Sequence, residues 1–307
     1  MNNSFAHIVL FAYNRPIHVK KVLDALSQNL EAKNSVLHIF CDGIRKDANY
    51  EFQQKIIQTR NIVKLENRFL DIIIKEHNYN KGLANSIIDG VTEIINKYGA
   101  VIVIEDDIVP SKGFLKYMNE ALNLYKTEPQ VGCIHAWNYG LNASYNKETT
   151  FFLKGADCWG WATWKRAWDE FNPDGKYLLK MIEKNNLGYE FDRKNTIPFL
   201  EMLKNQIEGK NDSWAIRWHA SLFIKNMFCL YPIKPLVKNI GLDNSGFHCG
   251  DMQLIQNPVK YIDIKKIPIE ESNWFIPAYS DFIKKSTVQK KSKWQRLKTY
   301  LKLLSHQ

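Results

Sequence analysis

The stretch Ala100-Val101-Ile102-Val103-Ile104-Glu105-Asp106-Asp107 decides how the rest of the chain is read. Five consecutive apolar residues, mostly β-branched, predict a strand buried on both faces, as in a parallel sheet. That strand runs directly into three carboxylates. Adjacent acids at the end of a buried strand repel one another and are costly to desolvate unless a cation stands nearby. A hard divalent ion, Mg2+ or Mn2+, held by one or two carboxylates, waters and a diphosphate, answers that cost. The plainer alternative is a solvated turn in which Asp107 caps a helix. The buried strand before the acids favours a ligand site.

The sequence before this stretch has the same character. His7 to Tyr13 is an apolar run closed by Asn14-Arg15-Pro16, and Pro16 opens a helix with Val19, Val22, Leu23, Leu26 and Leu30 on one face. Ser35 to Phe40 is a further apolar strand ending in Cys41-Asp42-Gly43. A polar helix over 48–66, a strand over 71–75, a loop over 77–82 and a helix over 83–97 complete the first 110 residues. This alternation predicts an α/β fold: a doubly wound, mostly parallel, Rossmann-like sheet with right-handed crossovers. Ligands of such sheets bind at the carboxyl ends of the strands, where Asp42, the 77–82 loop and the acid triplet all fall.

Residues 111–283 read as an irregular, mainly helical half. A helix is expected near 112–126 and a strand near 131–136. An aromatic segment over 158–168 carries Trp159, Trp161, Trp164 and Trp168, and a last strand near 234–240 leads into the Gly-rich loop 241–250. The expected organisation is one main domain over 1–283, with halves over 1–110 and 111–283, followed by a basic tail over 284–307.

Several residues can carry chemistry, each with an ordinary alternative. Asp42 can accept hydrogen bonds from a base or ribose, or cap its own turn. Lys81 beside Gly82 offers a phosphate cradle before a helix, or a simple turn. The tryptophans are core packing, or one of them stacks on a sugar. Asp212 precedes Ser213-Trp214 as a helix N-cap, or as a carboxylate at the mouth of a cleft. His248 can reach a metal or phosphate from its loop, or sit at the surface.

The formal charge of +10 calls for an anionic partner. Eight Lys and Arg residues lie between Lys284 and Lys302 with no acid after Asp281, so the rest is closer to neutral. With Trp294, Leu297, Tyr300, Leu301 and Leu304 at helical spacing, this tail suits an amphipathic helix on an anionic membrane. The clustering of charge there, with no recognised binding module, speaks against a nucleic-acid-binding protein. Five widely spaced cysteines argue against a disulfide framework or zinc cluster, and the N-terminal apolar run is too short for a signal peptide or span. A cytoplasmic protein, peripheral on the inner face of the plasma membrane, is the expectation.

Taken in order, Phe11-Ala12-Tyr13-Asn14-Arg15-Pro16, Cys41-Asp42-Gly43 and Val103-Ile104-Glu105-Asp106-Asp107-Ile108 resemble a GT-A glycosyltransferase. Within that class they are similar to the inverting N-acetylglucosaminyltransferase I family and to bacterial family-2-like enzymes. The resemblance implies that Tyr13, Asn14 and Arg15 form a nucleotide-binding turn and that Asp42 contacts the base. It makes Glu105-Asp106-Asp107 a form of the DxD motif, with Asp107 on Mn2+ and Glu105 and Asp106 on ribose, water or sugar. Asp157-Cys158-Trp159-Gly160-Trp161 resembles that family's Gly-Trp segment, and Asn211-Asp212-Ser213-Trp214 its catalytic-base segment. Ser213 and Asn211 replace an acid and a Trp of that segment, leaving Asp212 as its only acid. The implied activity is inverting transfer of a sugar, UDP-linked, to a glycan or lipid-linked acceptor in surface-polysaccharide synthesis. A nucleotidyltransferase using the same acids is the competing enzyme class; the chain lacks a P-loop or G-x-G-x-x-G fingerprint.

Overall fold

A computed structural model describes residues 5–139, 141, 148–243 and 257–282. The acid-ended stretch is strand β4 (Ala100–Glu105), and it lies inside an eight-stranded sheet. Its parallel partner is β1 (His7–Ala12), which pairs in turn with β2 (Val36–Cys41), and β2 with β3 (Asp71–Glu76), all in parallel. Helices α1 (Pro16–Leu26), α2 (Tyr50–Lys64) and α3 (Leu83–Tyr98) make the crossovers. This is the doubly wound half that the apolar periodicity predicts.

Both faces of β1, β2 and β4 are buried, so alternate residues enter different cores. Ile8, Leu10, Leu37, Ile39, Ile102 and Ile104 pack with Val19, Val22 and Leu23 of α1. Val9, Phe11, Phe40, Val101 and Val103 pack with Ile87, Val91 and Ile94 of α3 on the other side. Gly90 permits this closeness, since a Cβ there would lie 2.8 Å from the Phe11 ring. Gly99, at φ 81°, ends α3 in the left-handed conformation and turns the chain directly into β4.

The second half departs from the expected irregular, mainly helical layer, because it extends the same sheet. β5 (Ile108–Pro110) is followed by α4 (Phe114–Leu124), β6 (Val131–His135), β7 (Thr150–Lys154) and β8 (Trp161–Trp164). Short α5 (Lys165–Trp168), α6 (Gly175–Lys184), short α7 (Gly188–Phe191), α8 (Phe199–Ile207) and α9 (Trp214–Ile224) lead to β9 (Phe228–Pro232) and β10 (Val237–Asn239). The sheet order is β3-β2-β1-β4-β8-β6-β9-β7, with β8 and β7 antiparallel to their neighbours. The aromatic segment is thus a strand and a helical turn; Trp161, Trp164 and Trp168 are buried, Trp161 stacks on Trp214 of α9, and Trp159 is half-buried. β10 pairs antiparallel with β5, which brings the chain after it back over the end of β4. Residues 283–307, and with them the proposed membrane tail, lie outside the described residues. No helix among the described residues is long and apolar enough to cross a membrane.

Candidate functional site

The carboxyl ends of β1, β2 and β4 converge because the three strands are parallel and in register, Phe11 opposite Phe40 and Glu105. What leaves each strand there forms the site. After β1 the chain turns through Tyr13, Asn14 and Arg15, and Pro16 starts α1 with Arg15 as its N-cap. The Arg15 guanidinium faces the end of β4, where Nη1 donates to Asp107 Oδ2 at 2.9 Å and Nη2 pairs with Asp106 Oδ1. The Tyr13 amide donates to the other Asp106 oxygen at 3.3 Å. The cation that three clustered acids require is therefore partly supplied by the protein, from 91 residues earlier in the chain.

Electrostatics at this point is dominated by burial. Asp106 and Asp107 are buried. Burial pushes the Glu105 and Asp106 carboxyls above their ordinary values; Asp107 adds to the shift at both, and Arg15 opposes it. Burial alone would lower the Arg15 guanidinium, but Asp106 and Asp107 outweigh it and hold it raised. Three carboxylates against one guanidinium leave a surplus of negative charge that a divalent ion would offset. Asp106 and Asp107 both reach one guanidinium, so both can reach one metal ion. Among the described residues no three His, Cys, Asp or Glu side chains converge on one point. A divalent ion held here would draw at most two carboxylates from the described residues, with water and phosphate completing its shell.

The chain after β10 covers this site. The Ile240 amide donates to the Asp107 carbonyl at 2.9 Å, and Gly241 lies so close that a Cβ would meet Asp107 Oδ2 at 2.2 Å. His18 of α1 meets Asp243 at 3.2 Å, tying α1 to the same loop. His248, in the continuation of that loop, lies outside the described residues.

Beside the acids, Asp42 serves the backbone. Its carboxylate accepts from the amides of Gly43 and Lys81 at 2.8 Å, from Gly82 at 3.1 Å and from Asn80 Nδ2 at 2.8 Å. Four donors fill the acceptor capacity of a carboxylate. Asp42 therefore shapes the 80–82 loop. Gly43 is required there, because a Cβ would lie 2.2 Å from the Tyr79 carbonyl carbon. Lys81 is paired with Asp89 of α3. Tyr13 does face open chemistry. Its hydroxyl is buried without a partner, burial pushes it up to about 12, and its ring meets Phe52 edge-on at 5.6 Å with Arg45 over the Phe52 face. Asn14 is half-buried between Tyr13 and Arg15.

Asp212 is apart from this group. Its side chain is 64% exposed and pairs with Arg217 at 3.4 Å, while the N-cap of α9 is Ser213, which accepts from the Ile216 amide. An acid that sequence reading quoted but gave no role is Asp157, in the segment between β7 and β8. It lies next to Cys158, whose thiol is held well above its ordinary value by burial and then by Asp157, Glu105 and Asp107. Its segment was legible in sequence as a resembling motif, but the neighbourhood of its carboxylate was not, since that depends on the path of the 155–160 segment between β7 and β8.

No protein-family model and no curated protein matches the chain. Among solved structures, UDP-glucose pyrophosphorylase complexed with UDP-glucose is similar at 12% identity over 76% of this chain and 91% of its own, with a TM-score of 0.36. Glucosyl-3-phosphoglycerate synthase from Mycobacterium tuberculosis, in complex with Mn2+, UDP and glucosyl-3-phosphoglycerate, is similar at 10% identity over 59% and 66%, with a TM-score of 0.34. TarS of S. aureus is similar at 14% over 49% of this chain and 24% of its own, with a TM-score of 0.32. The chain thus spans about a quarter of the length of TarS. Likenesses this distant carry no functional argument, and the reading below rests on the site.

Proposed function

We propose that the chain is a GT-A glycosyltransferase that moves a sugar from a nucleotide-sugar donor, UDP-linked, to a glycan or lipid-linked acceptor with inversion at the anomeric carbon. One observation carries the proposal: the buried acid triplet at the end of β4, two of whose members share the Arg15 guanidinium from the turn after β1. This pairing puts a cation and surplus carboxylates at one point, as binding of a metal and diphosphate together requires.

In this reading Asp107 holds Mn2+ or Mg2+, whose chemistry when bound is to neutralise charge building on the departing diphosphate. Arg15 offers a second positive charge to the same oxygens, and its N–H fork suits two of them at once. Tyr13, Phe52 and Arg45 form an aromatic and cationic wall for the base and ribose, and the loop that Asp42 braces closes the far side. Glu105 and Asp106 remain for ribose, water or sugar hydroxyls, and the Gly241 backbone keeps bulk water from Asp107. A surface-polysaccharide acceptor, and an anionic membrane bound through the 284–307 tail, belong to the same proposal.

The test is nucleotide release from a panel of UDP-, GDP-, dTDP- and CMP-sugars, with Mn2+ or with EDTA. One nucleotide class should be hydrolysed, and both EDTA and Asp107→Ala should lower the rate by about 100-fold or more. Pyrophosphate formation from a sugar phosphate and UTP, without any hydrolysis, would instead identify a nucleotidyltransferase.

A further inference from the structure

The side of the site away from the nucleotide wall is built from the ends of β6 and β9 and the segment crossing from β7 to β8. The chain is stitched together there: Ala136 N–H donates to the Gly160 carbonyl, Leu236 N–H to the Ala136 carbonyl, and Ser111 N–H to the Leu236 carbonyl. Val237, next in line, pairs with Pro110 on the strand that leaves the acid triplet. Asp157 belongs to this patch.

We propose that Asp157 is the base that removes the proton of the attacking acceptor hydroxyl, and that Trp137, Trp159 and Tyr139 form the wall against which the acceptor sugar lies. The inference rests on the donor reading given above and adds the acceptor half to it.

Asp157 is a half-buried carboxylate, its side chain 19% exposed, with no Lys or Arg ion pair among the described residues. Its nearest titratable neighbour is His135, with Nε2 3.7 Å from Oδ1. That histidine is neutral. Its Nε2 accepts from the Trp159 amide at 3.0 Å, so the proton sits on Nδ1 and goes to the Trp137 carbonyl, and burial lowers its affinity for a second proton. Asp157 is oriented by the Cys158 amide, which donates to Oδ1 at 2.8 Å. Asp212, by contrast, is ion-paired and exposed, as a structural surface acid is.

The rings beside Asp157 are arranged for a ligand. Trp137 lies 4.3 Å from Trp159 and 5.2 Å from Tyr139 between ring centroids. The Trp137 indole N–H is buried without a partner on a side chain that is only 7% exposed. An unmet buried donor is uncommon in a folded protein, and a sugar hydroxyl would satisfy it. Tyr139 holds φ 61°, in the left-handed region that an aromatic residue rarely adopts. Aromatic faces with a buried N–H and a carboxylate are what a pyranose ring and its hydroxyls require.

The step balances. The acceptor oxygen forms a bond to the anomeric carbon as its proton passes to Asp157. The bond from that carbon to the diphosphate oxygen breaks, and its electron pair leaves with the nucleoside diphosphate.

The experiment takes UDP-glucose and UDP-N-acetylglucosamine as donors, with water as acceptor, and follows donor binding by calorimetry in parallel. Asp157→Asn should bind donor as the parent does and hydrolyse it about 100-fold more slowly. Azide, a nucleophile with no proton to lose, should restore turnover to Asp157→Ala and yield a glycosyl azide, which a merely structural Asp would not allow. Asp157→Glu should retain part of the rate, and Asp212→Asn should stay within about threefold of the parent. Parent-like hydrolysis by Asp157→Asn, or loss of hydrolysis in Asp212→Asn alone, overturns the assignment. A parent chain that neither binds nor hydrolyses any nucleotide sugar overturns the donor reading instead.

Discussion

At the scale of single residues, Arg15 is the group whose behaviour follows most directly from its contacts. It sits between two buried carboxylates that would otherwise face one another. Removing one partner of a buried pair leaves uncompensated charge, so Arg15→Met should lower stability by about 3 kcal/mol without metal. Mn2+ alone, bound in place of the guanidinium, should restore much of that loss by mass action and raise the Tm of the variant far more than that of the parent. Equal small shifts in both proteins would show that Arg15 and the metal do not compete for these acids. Sequence reading placed Arg15 at the nucleotide turn and the acids at the strand end. It did not foresee their pairing, because a contact across 91 residues leaves no local pattern. Asp42 shows the converse: its position was legible, but its use was not, since an Asp-Gly after a strand serves a ligand or its own loop equally well.

At the scale of elements, the pairing of β1 with β2 carries its own titration. His7 Nδ1 and His38 Nε2 lie 2.8 Å apart on these strands, with His7 stacked on Tyr98. A hydrogen bond between two imidazoles needs at least one of them neutral. Burial, then His7, lowers His38 from 6.5 to about 4, and burial with Lys97 lowers His7. The unfolded chain thus binds more protons than the folded one between these values. The stability concerned is fully present above the unfolded value near 6.5 and is lost as pH falls toward 4, by about 2 kcal/mol between pH 7 and pH 5. Denaturant midpoints across that range should show the slope, and His38→Gln should flatten it; an unchanged slope would place the protons elsewhere. The strands themselves were legible where apolar runs are long and bounded by Gly, Pro or acids, as in β1, β2 and β4. β7, β8 and β9 were not, because Thr150–Lys154, Trp161–Trp164 and Phe228–Pro232 are short apolar or aromatic runs in which strand and buried helix have the same composition.

For the whole molecule, one sheet joins the donor and acceptor halves. β4, which carries the acids, is bonded on one side to β1 and on the other to β8, which follows the Asp157 segment. The sheet thus fixes the β4 acids relative to the Asp157 segment, which in the proposed reaction would hold donor and acceptor in place. This arrangement follows from strands that the sequence did not announce, so the acceptor side was the less legible half of the site. The central claim is that the β4 acids and Arg15 together bind a metal and a nucleotide diphosphate. Calorimetric titration of UDP into the parent chain and into Asp107→Ala, with Mn2+ and with EDTA, tests it most directly. The account predicts binding by the parent that depends on Mn2+ and is weakened at least about tenfold in Asp107→Ala. UDP affinity that is the same with EDTA and in the variant, or absent throughout, would contradict it.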